Sequence, residues 1–281
     1  DPDPEPEPDP EPEPEPEPDP EPESTQVSQY SLGEYFARFS VVSFQDDATT
    51  RVPWSYDVTV INAGIDAMKA TGKTSISDGF EAARQLFANG SRVNATKIVL
   101  LLTDGEQTVD AATGKTLTQT AIDAAALVKG DNVTVFAWGF GTNISITTLQ
   151  KIASGSSNAI LEQNLSKLTS YLGVLGNAVC TGSLSLQAPG PPPSLPMPPS
   201  PPPMPPPMPP PMPPPSPPST PPPPSPPCNT SIDFALVLDE SYSINRVDAS
   251  GVRQSPNYMD GNDGVKALAK LLVRHAPIKS R

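Results

Sequence analysis

Residues 97–105 read Lys-Ile-Val-Leu-Leu-Leu-Thr-Asp-Gly, an apolar run that ends in a threonine, an aspartate and a glycine. A continuous apolar run such as Lys97–Leu102 indicates a parallel strand that is buried on both faces of a sheet. A second run, Ile232–Leu238 (IDFALVL), leads directly into Asp-Glu-Ser-Tyr-Ser. The sequence therefore predicts two buried strands whose carboxyl ends carry oxygen-bearing side chains.

Strand-like and helix-like stretches alternate through the rest of the foldable sequence. The predicted strands are Ala37–Phe44, Thr50–Tyr56, Lys97–Leu102, Val133–Gly139 and Ala159–Glu162. The predicted helices are Val58–Met68, Ser77–Phe87, Leu117–Val128, Ile146–Ala153 and Leu165–Val179, with an amphipathic helix over Val265–Val273 after the last strand. This rhythm predicts an α/β fold, a doubly wound, mostly parallel sheet with helices on both faces.

Two low-complexity segments divide the chain. Residues 1–23 alternate an acid with proline, and we expect an extended, solvated, disordered arm. Residues 189–227 hold 27 of the 41 prolines and predict a polyproline II spacer, with a docking site for proline-reading domains as the alternative. The composition of this linker also resembles hydroxyproline-rich wall glycoproteins of plants and green algae. The foldable residues are therefore 24–188 and 228–281.

Charge, sequons and cysteines bear on location and partners. The net charge of −13 comes from the acid–proline arm, so no basic field argues for nucleic-acid binding. No apolar run approaches the roughly 18 residues of a membrane helix. Six Asn-x-Ser/Thr sequons and an even cysteine count favour an extracellular protein, although two free thiols in a reducing compartment would look the same. Because the chain begins at Asp1 and shows no signal peptide, we expect a processed product or a piece of a longer polypeptide.

Five oxygen-bearing residues fall where a ligand site is expected. In open parallel sheets, ligands bind beyond the carboxyl ends of the strands. Asp239, Ser241 and Ser243 follow one buried strand, Asp104 follows another, and Thr74 lies in a Gly-x-Thr-x-x-x-x-Gly turn before a helix. Two carboxylates and three hydroxyls are hard oxygen ligands, the type that Mg²⁺ prefers. The pattern predicts a small divalent-cation site.

Together these three motifs resemble the von Willebrand factor A domain, in which they build a metal-ion-dependent adhesion site. The resemblance implies that Asp239, Ser241, Ser243, Thr74 and Asp104 bind Mg²⁺, or Mn²⁺ or Ca²⁺. It also implies that a partner's Asp or Glu carboxylate fills the remaining position on the cation. Each motif alone has a structural alternative. The first can cap a strand end, Thr-Asp-Gly can be a turn with a left-handed glycine, and the threonine can be a helix N-cap.

The motif order departs from the family pattern, because Asp-x-Ser-x-Ser comes last here. In one interpretation, residues 24–188 are the back of one domain and residues 228–281 are the front of the next in a tandem array. In the other, Ile232–Leu238 inserts beside Lys97–Leu102 and completes a permuted domain, or is exchanged between molecules of an oligomer. We expect insertion within the chain, because residues 24–188 alone would expose unpaired backbone and apolar faces in the middle of the sheet. The family resemblance implies that Cys180 and Cys228 pair in a permuted domain.

Function classes follow from these features. One histidine, no nucleophile–histidine arrangement and no phosphate-cradling Gly-rich loop argue against an enzyme. The sequence predicts an extracellular matrix or cell-wall adhesion module that binds a protein ligand presenting Asp or Glu. The alternatives are a structural proline-rich wall glycoprotein with an inactive A domain, and a fragment of a subunit that resembles the magnesium chelatase A-domain subunit.

Overall fold

The computed structural model describes residues 37–181, 231–245, 259–260 and 264–275. The acid–proline arm predicted at 1–23 and the polyproline spacer predicted at 189–227 lie outside these residues, as does Cys228. Within the described residues, no helix is long and apolar enough to cross a membrane.

Strands and helices alternate along the described chain. The strands are β1 Ala37–Phe44, β2 Ala48–Ser55, β3 Thr96–Gly105, β4 Thr134–Asn143, β5 Ala159–Glu162 and β6 Ile232–Asp239. The helices are α1 Val58–Asp66, α2 Ile76–Gly90, α3 Leu117–Gly130, α4 Ile146–Ile152, α5 Leu165–Leu168, α6 Leu172–Thr181 and α7 Val265–His275. This arrangement confirms the predicted α/β fold class.

The six strands form one sheet in the order β2-β1-β6-β3-β4-β5. Only β2 is antiparallel to its neighbour; the other described pairs are parallel. Strand β6 pairs with β1 from Ala37↔Ile232 to Phe44↔Asp239, and with β3 from Thr96↔Ile232 to Leu102↔Leu238. This is the strand pairing expected of a permuted domain, and the division of the chain into domains stays a prediction.

A hydrophobic layer covers each face of the sheet. Along β6, Phe234 and Leu236 belong to the layer that contains α1 and α7, whereas Ala235 and Val237 belong to the layer that contains α2, α3 and α4. All eight residues of β6 are buried. Because alternate side chains of a strand point to opposite faces, β6 contributes to both cores at once. Strand β6 therefore packs in both hydrophobic layers and stabilises the centre of the sheet.

Side-chain caps account for the start of three helices, and one helix prediction was wrong. The side chains of Asp57, Thr116 and Ser145 each accept a hydrogen bond from a backbone N–H in the first turn of α1, α3 and α4. The predicted single helix Leu165–Val179 was wrong, since a 3₁₀ turn at Thr169–Tyr171 separates α5 from α6. Apolar periodicity continues through that turn, so the pattern alone does not show the change in winding.

Candidate functional site

The carboxyl ends of the two central strands place two aspartates side by side. Asp239 is the last residue of β6, and Asp104 is the penultimate residue of β3, the strand paired with β6. Their exposed fractions are 0 % and 3 %. Parallel strands bring their carboxyl ends to one edge, so residues 135 positions apart along the chain become neighbours.

Hydroxyls link these carboxylates into one hydrogen-bonded chain. Thr103 Oγ1 donates to Asp239 Oδ2 over 2.6 Å, and Ser241 N donates to Asp239 Oδ1 over 2.8 Å. Ser243 Oγ donates to Asp104 Oδ1 over 2.7 Å and lies 2.8 Å from Ser241 Oγ. Four of the five predicted site residues are therefore brought together directly.

Thr74 is held at the same edge by its backbone. Its N–H donates to Thr108 Oγ1 over 2.9 Å, and its carbonyl accepts from Thr108 N over 2.8 Å. Tyr242 N donates to Gly72 O over 3.1 Å, which ties the loop before α2 to the Asp-x-Ser-x-Ser segment. Thr74 is 4 % exposed and is not the N-cap of α2, because Ser75 occupies that position.

Two of the structural alternatives for these motifs are wrong in this molecule. The N-cap explanation fails for Thr74, because the neighbouring serine is the N-cap. The turn with a left-handed glycine fails for Gly105, because Gly105 ends strand β3 and is not among the described glycines with positive φ. Gly105 therefore continues the strand, and Thr74 is positioned by its backbone hydrogen bonds with Thr108.

Burial raises the pKa values of both aspartates above their ordinary range. For Asp104, the nearby charge of Asp239 adds to the effect of burial, and the hydrogen bond from Ser243 offsets part of it. For Asp239, burial outweighs the hydrogen bonds from Ser241 and Thr103. Among the described residues, no lysine or arginine forms an ion pair with either carboxylate. Two buried acids without a positive partner form a site that favours a cation.

The donor set fits a hard divalent cation. It consists of carboxylate and hydroxyl oxygens, which suit Mg²⁺ better than a soft metal. No group of three or more acidic, histidine or cysteine side chains within the described residues could hold a metal ion. Glu106 accepts hydrogen bonds from Thr118 of α3 and Thr148 of α4 over 3.0 and 2.8 Å, which connect it to those two helices. The site therefore depends on two carboxylates supplemented by hydroxyls.

Three residues that the sequence analysis did not assign support this edge. Thr103 orients Asp239, and its position directly before Asp104 could have suggested it. The Gln107 side-chain carbonyl accepts from Ser77 N over 2.8 Å and so fixes the first turn of α2. Glu240 lies inside the Asp-x-Ser-x-Ser motif, is 1 % exposed and pairs with Arg51 at 2.6 Å.

Comparison with known proteins identifies the family. The model of the von Willebrand factor type A domain matches residues 24–173, just over half of the chain. This chain belongs to that family. Strand β6 and helix α7 lie outside the matched residues. No curated protein matches.

Solved structures of proximal thread matrix protein 1 from the mussel byssus are also similar. One is 29 % identical with a TM-score of 0.39 and covers 48 % of this chain and 33 % of that chain. Another, described as having a zinc-occupied MIDAS motif, is 29 % identical with a TM-score of 0.39 and covers 48 % of this chain and 32 % of that one. The chain thus spans about a third of the length of the mussel proteins it matches.

Proposed function

We propose that this chain is a non-enzymatic, extracellular binding module of a matrix or cell wall. In this proposal, Asp239, Ser241, Ser243, Thr74 and Asp104 hold a divalent cation, Mg²⁺ in the first instance, and a partner protein presents an Asp or Glu carboxylate to it. The observation that carries the proposal is the pair of buried, hydrogen-bonded aspartates without a positive partner among the described residues at the edge of the sheet.

The chain's own groups have distinct roles in such a site. Thr103 and Ser241 N hold the Asp239 carboxylate in one orientation, and Ser243 holds Asp104. The serine hydroxyls can turn their lone pairs outward, since a hydroxyl both donates and accepts. When bound, the cation would act as a Lewis acid toward the partner's carboxylate. Tyr242, between the two serines, is 52 % exposed, and in this proposal it would contact the bound partner.

The sequons support the extracellular location. Asn89, Asn94, Asn132 and Asn143 are exposed, and Asn164 is partly exposed. Glycosylation at these asparagines needs access to the side chain, which the fold provides. Mass spectrometry of native material tests this part of the proposal, because unmodified sequons together with reduced cysteines would contradict it.

Cation binding is tested by calorimetry on the full chain. Mg²⁺ and Mn²⁺ should bind the wild-type chain, and Zn²⁺ serves as a competitor since it binds most sites more tightly. Asp104→Asn and Ser243→Ala should weaken binding, whereas Asp47→Gln should not, because Asp47 is an exposed carboxylate in the β1–β2 turn. Glutamine is used at this position because asparagine before Ala48-Thr49 would create a new sequon. Equal binding by the wild type and Asp104→Asn would overturn the assigned site.

Partner binding is tested with immobilised peptides that carry a single Asp or Glu. Binding should require the cation, disappear with chelator and be absent for matched peptides with Asn or Gln. Cation binding without any carboxylate preference would contradict the adhesion mechanism. Absence of cation binding would favour the alternative, a structural wall glycoprotein with an inactive A domain.

A further inference from the structure

The second residue of strand β6, Asp233, is an aspartate whose carboxylate contacts two arginines. Asp233 is 0 % exposed. Arg38 donates to both of its oxygens, over 2.7 and 2.9 Å, and Arg92 donates from Nε over 2.8 Å and from its backbone N over 2.7 Å. Arg92 Nη2 also donates to Ile232 O over 2.6 Å. Four hydrogen bonds to one carboxylate satisfy its charge in the core.

Contacts with α2 and with two aromatic rings hold both arginines in place beside the space between β1 and β3 that β6 fills. Arg38 donates to Gly90 O at the end of α2, and its guanidinium carbon lies 4.8 Å from the ring centroid of Trp54. Arg92 packs similarly over Tyr56, at 5.7 Å. Burial alone would raise the pKa of Asp233, but the hydrogen bonds from Arg38 and Arg92 hold it below its ordinary value. The surroundings of Asp233 in the sheet therefore stabilise an ionised carboxylate at this position.

The other end of the strand has a second buried carboxylate, that of Glu240. Arg51 Nη2 and Ser43 Oγ donate to its Oε1 over 2.6 and 2.9 Å, and Lys69 N donates to its Oε2 over 3.1 Å. Its carbonyl accepts from Thr71 N over 2.8 Å. Glu240 thus connects β6 both to the β1–β2 pair and to the loop 69–74, which ends at Thr74.

These two carboxylates define one register and one direction for the strand. Asp233 and Glu240 are seven residues apart, so they lie on opposite faces of the sheet. A shift of one residue would move every side chain of β6 to the other face and separate both carboxylates from their arginines. It would leave the guanidiniums of Arg38 and Arg51 partly buried without their partners, which is unfavourable.

We propose that the gap between β1 and β3 is a strand-recognition site for the Ile232–Glu240 segment, selected by the Asp233 and Glu240 carboxylates. Glu240 is in addition a positioning residue, because it couples insertion of the strand to placement of loop 69–74. The hydrophobic positions of β6 provide most of the burial, and the two carboxylates determine which apolar strand enters and in which register.

Hydrogen exchange with mass spectrometry on the full chain, in chelator, tests this without a cation. Asp233→Asn should speed exchange of the 232–238 amides at least about tenfold and affect loop 69–74 less. Glu240→Gln should speed exchange in both segments. The matched control is Asp131→Asn, which breaks an ion pair of 2.6 Å to Arg84 that is exposed to solvent. It should leave both segments unchanged.

Two further variants keep the test decisive if Glu240→Gln does not fold. Glu240→Asp keeps the charge but shortens the side chain, so it should speed exchange in loop 69–74 more than in 232–238. Adding Arg51→Met to Glu240→Gln should restore part of the protection of 232–238, because the unpaired guanidinium is removed.

The proposal is overturned if Asp233→Asn and Glu240→Gln exchange like Asp131→Asn, or if Glu240→Asp matches the wild type. Sedimentation velocity on the same samples identifies the donor of the strand. Protected 232–238 amides in a monomer show donation within one chain, and protected amides in a dimer show donation by a second copy. Both results support recognition of this segment by the gap.

Discussion

Replacing Asp104 by asparagine should make the cation-free protein more stable at pH 8, although it removes a candidate cation ligand. Asp104 and Asp239 are buried at adjoining strand ends, and the described residues supply no positive partner. In the wild type, both acids must be ionised at pH 8 in the absence of a cation. The asparagine side chain would carry no charge and would keep an oxygen that accepts from Ser243.

The magnitude follows from the pKa of Asp104, which burial and then Asp239 raise from 3.8 to about 7. A shift of about three units corresponds to about 4 kcal/mol for a group that titrates alone. Because Asp104 shares its protons with Asp239, we expect a gain on the order of 2 kcal/mol. A raised pKa in the folded state stabilises the protein at low pH. That stability is lost as the pH rises from about 4 to about 7, so the advantage of asparagine grows across this window.

Urea unfolding at pH 4 and pH 8, with chelator present, measures the effect. The urea midpoint of Asp104→Asn should equal that of the wild type near pH 4 and exceed it at pH 8. The exposed control Asp47→Gln should follow the wild type at both pH values. Mg²⁺ at about 100 times its dissociation constant should stabilise the wild type by about 2.7 kcal/mol and leave Asp104→Asn nearly unchanged.

Two outcomes would refute this reasoning. If Asp104→Asn is less stable than the wild type at pH 8 without cation, the aspartates are not electrostatically strained. If the difference in stability between Asp104→Asn and the wild type is the same at pH 4 and pH 8 in chelator, the pKa of Asp104 is not raised. Either result would remove the electrostatic argument for a cation site, whatever the cation titrations show.

Three further predictions address assembly of the fold. Mg²⁺ or Mn²⁺ should bind a mixture of residues 24–188 and 228–281 but neither piece alone in calorimetry, and equal binding by 24–188 alone would contradict this. Leu236→Ala, in the fully buried centre of β6, should cost about 2–5 kcal/mol in urea unfolding, whereas Leu127→Ala, 53 % exposed, should cost little. Non-reducing peptide mapping of dilute monomer should find the two cysteines of the chain joined, and two free thiols would argue against closure within one chain.

The strands and most helices could be predicted because their signals are local. Continuous apolar runs identified β3 and β6, and Gln45-Asp46-Asp47 indicated that the two strands on either side form a pair, which the structure shows to be antiparallel. The chain order of the motifs did not determine the topology, since two connectivities fit it. What favoured the central position of Ile232–Leu238 was the unpaired backbone and apolar surface that the sheet would otherwise expose.

The sequence was sufficient to name the five candidate residues but not the hydrogen bonds that connect them. The strand-end rule placed Asp104 and Asp239 at one edge, and the sheet geometry brings them together as that rule requires. The contact between Ser243 and Asp104 depends on how the chain turns after β6, and no spacing rule specifies that turn. The position of Thr74 depends likewise on Thr108, in the loop after β3, and on Tyr242, in the 3₁₀ turn after β6, which bonds to Gly72 of the same loop.

The carboxylates that fix the register of β6 could not be recognised from the sequence, and the reason is physical. An aspartate at the second position of an apolar strand predicts an exposed strand end, because a lone buried carboxylate is strongly unfavourable. Asp233 is buried here only because Arg38 and Arg92 reach it from β1 and from the loop before β3. Those arginines are distant in sequence and look like surface residues of their own elements. The folded arrangement shows this charge pairing across the gap, and no pattern along the sequence indicates it.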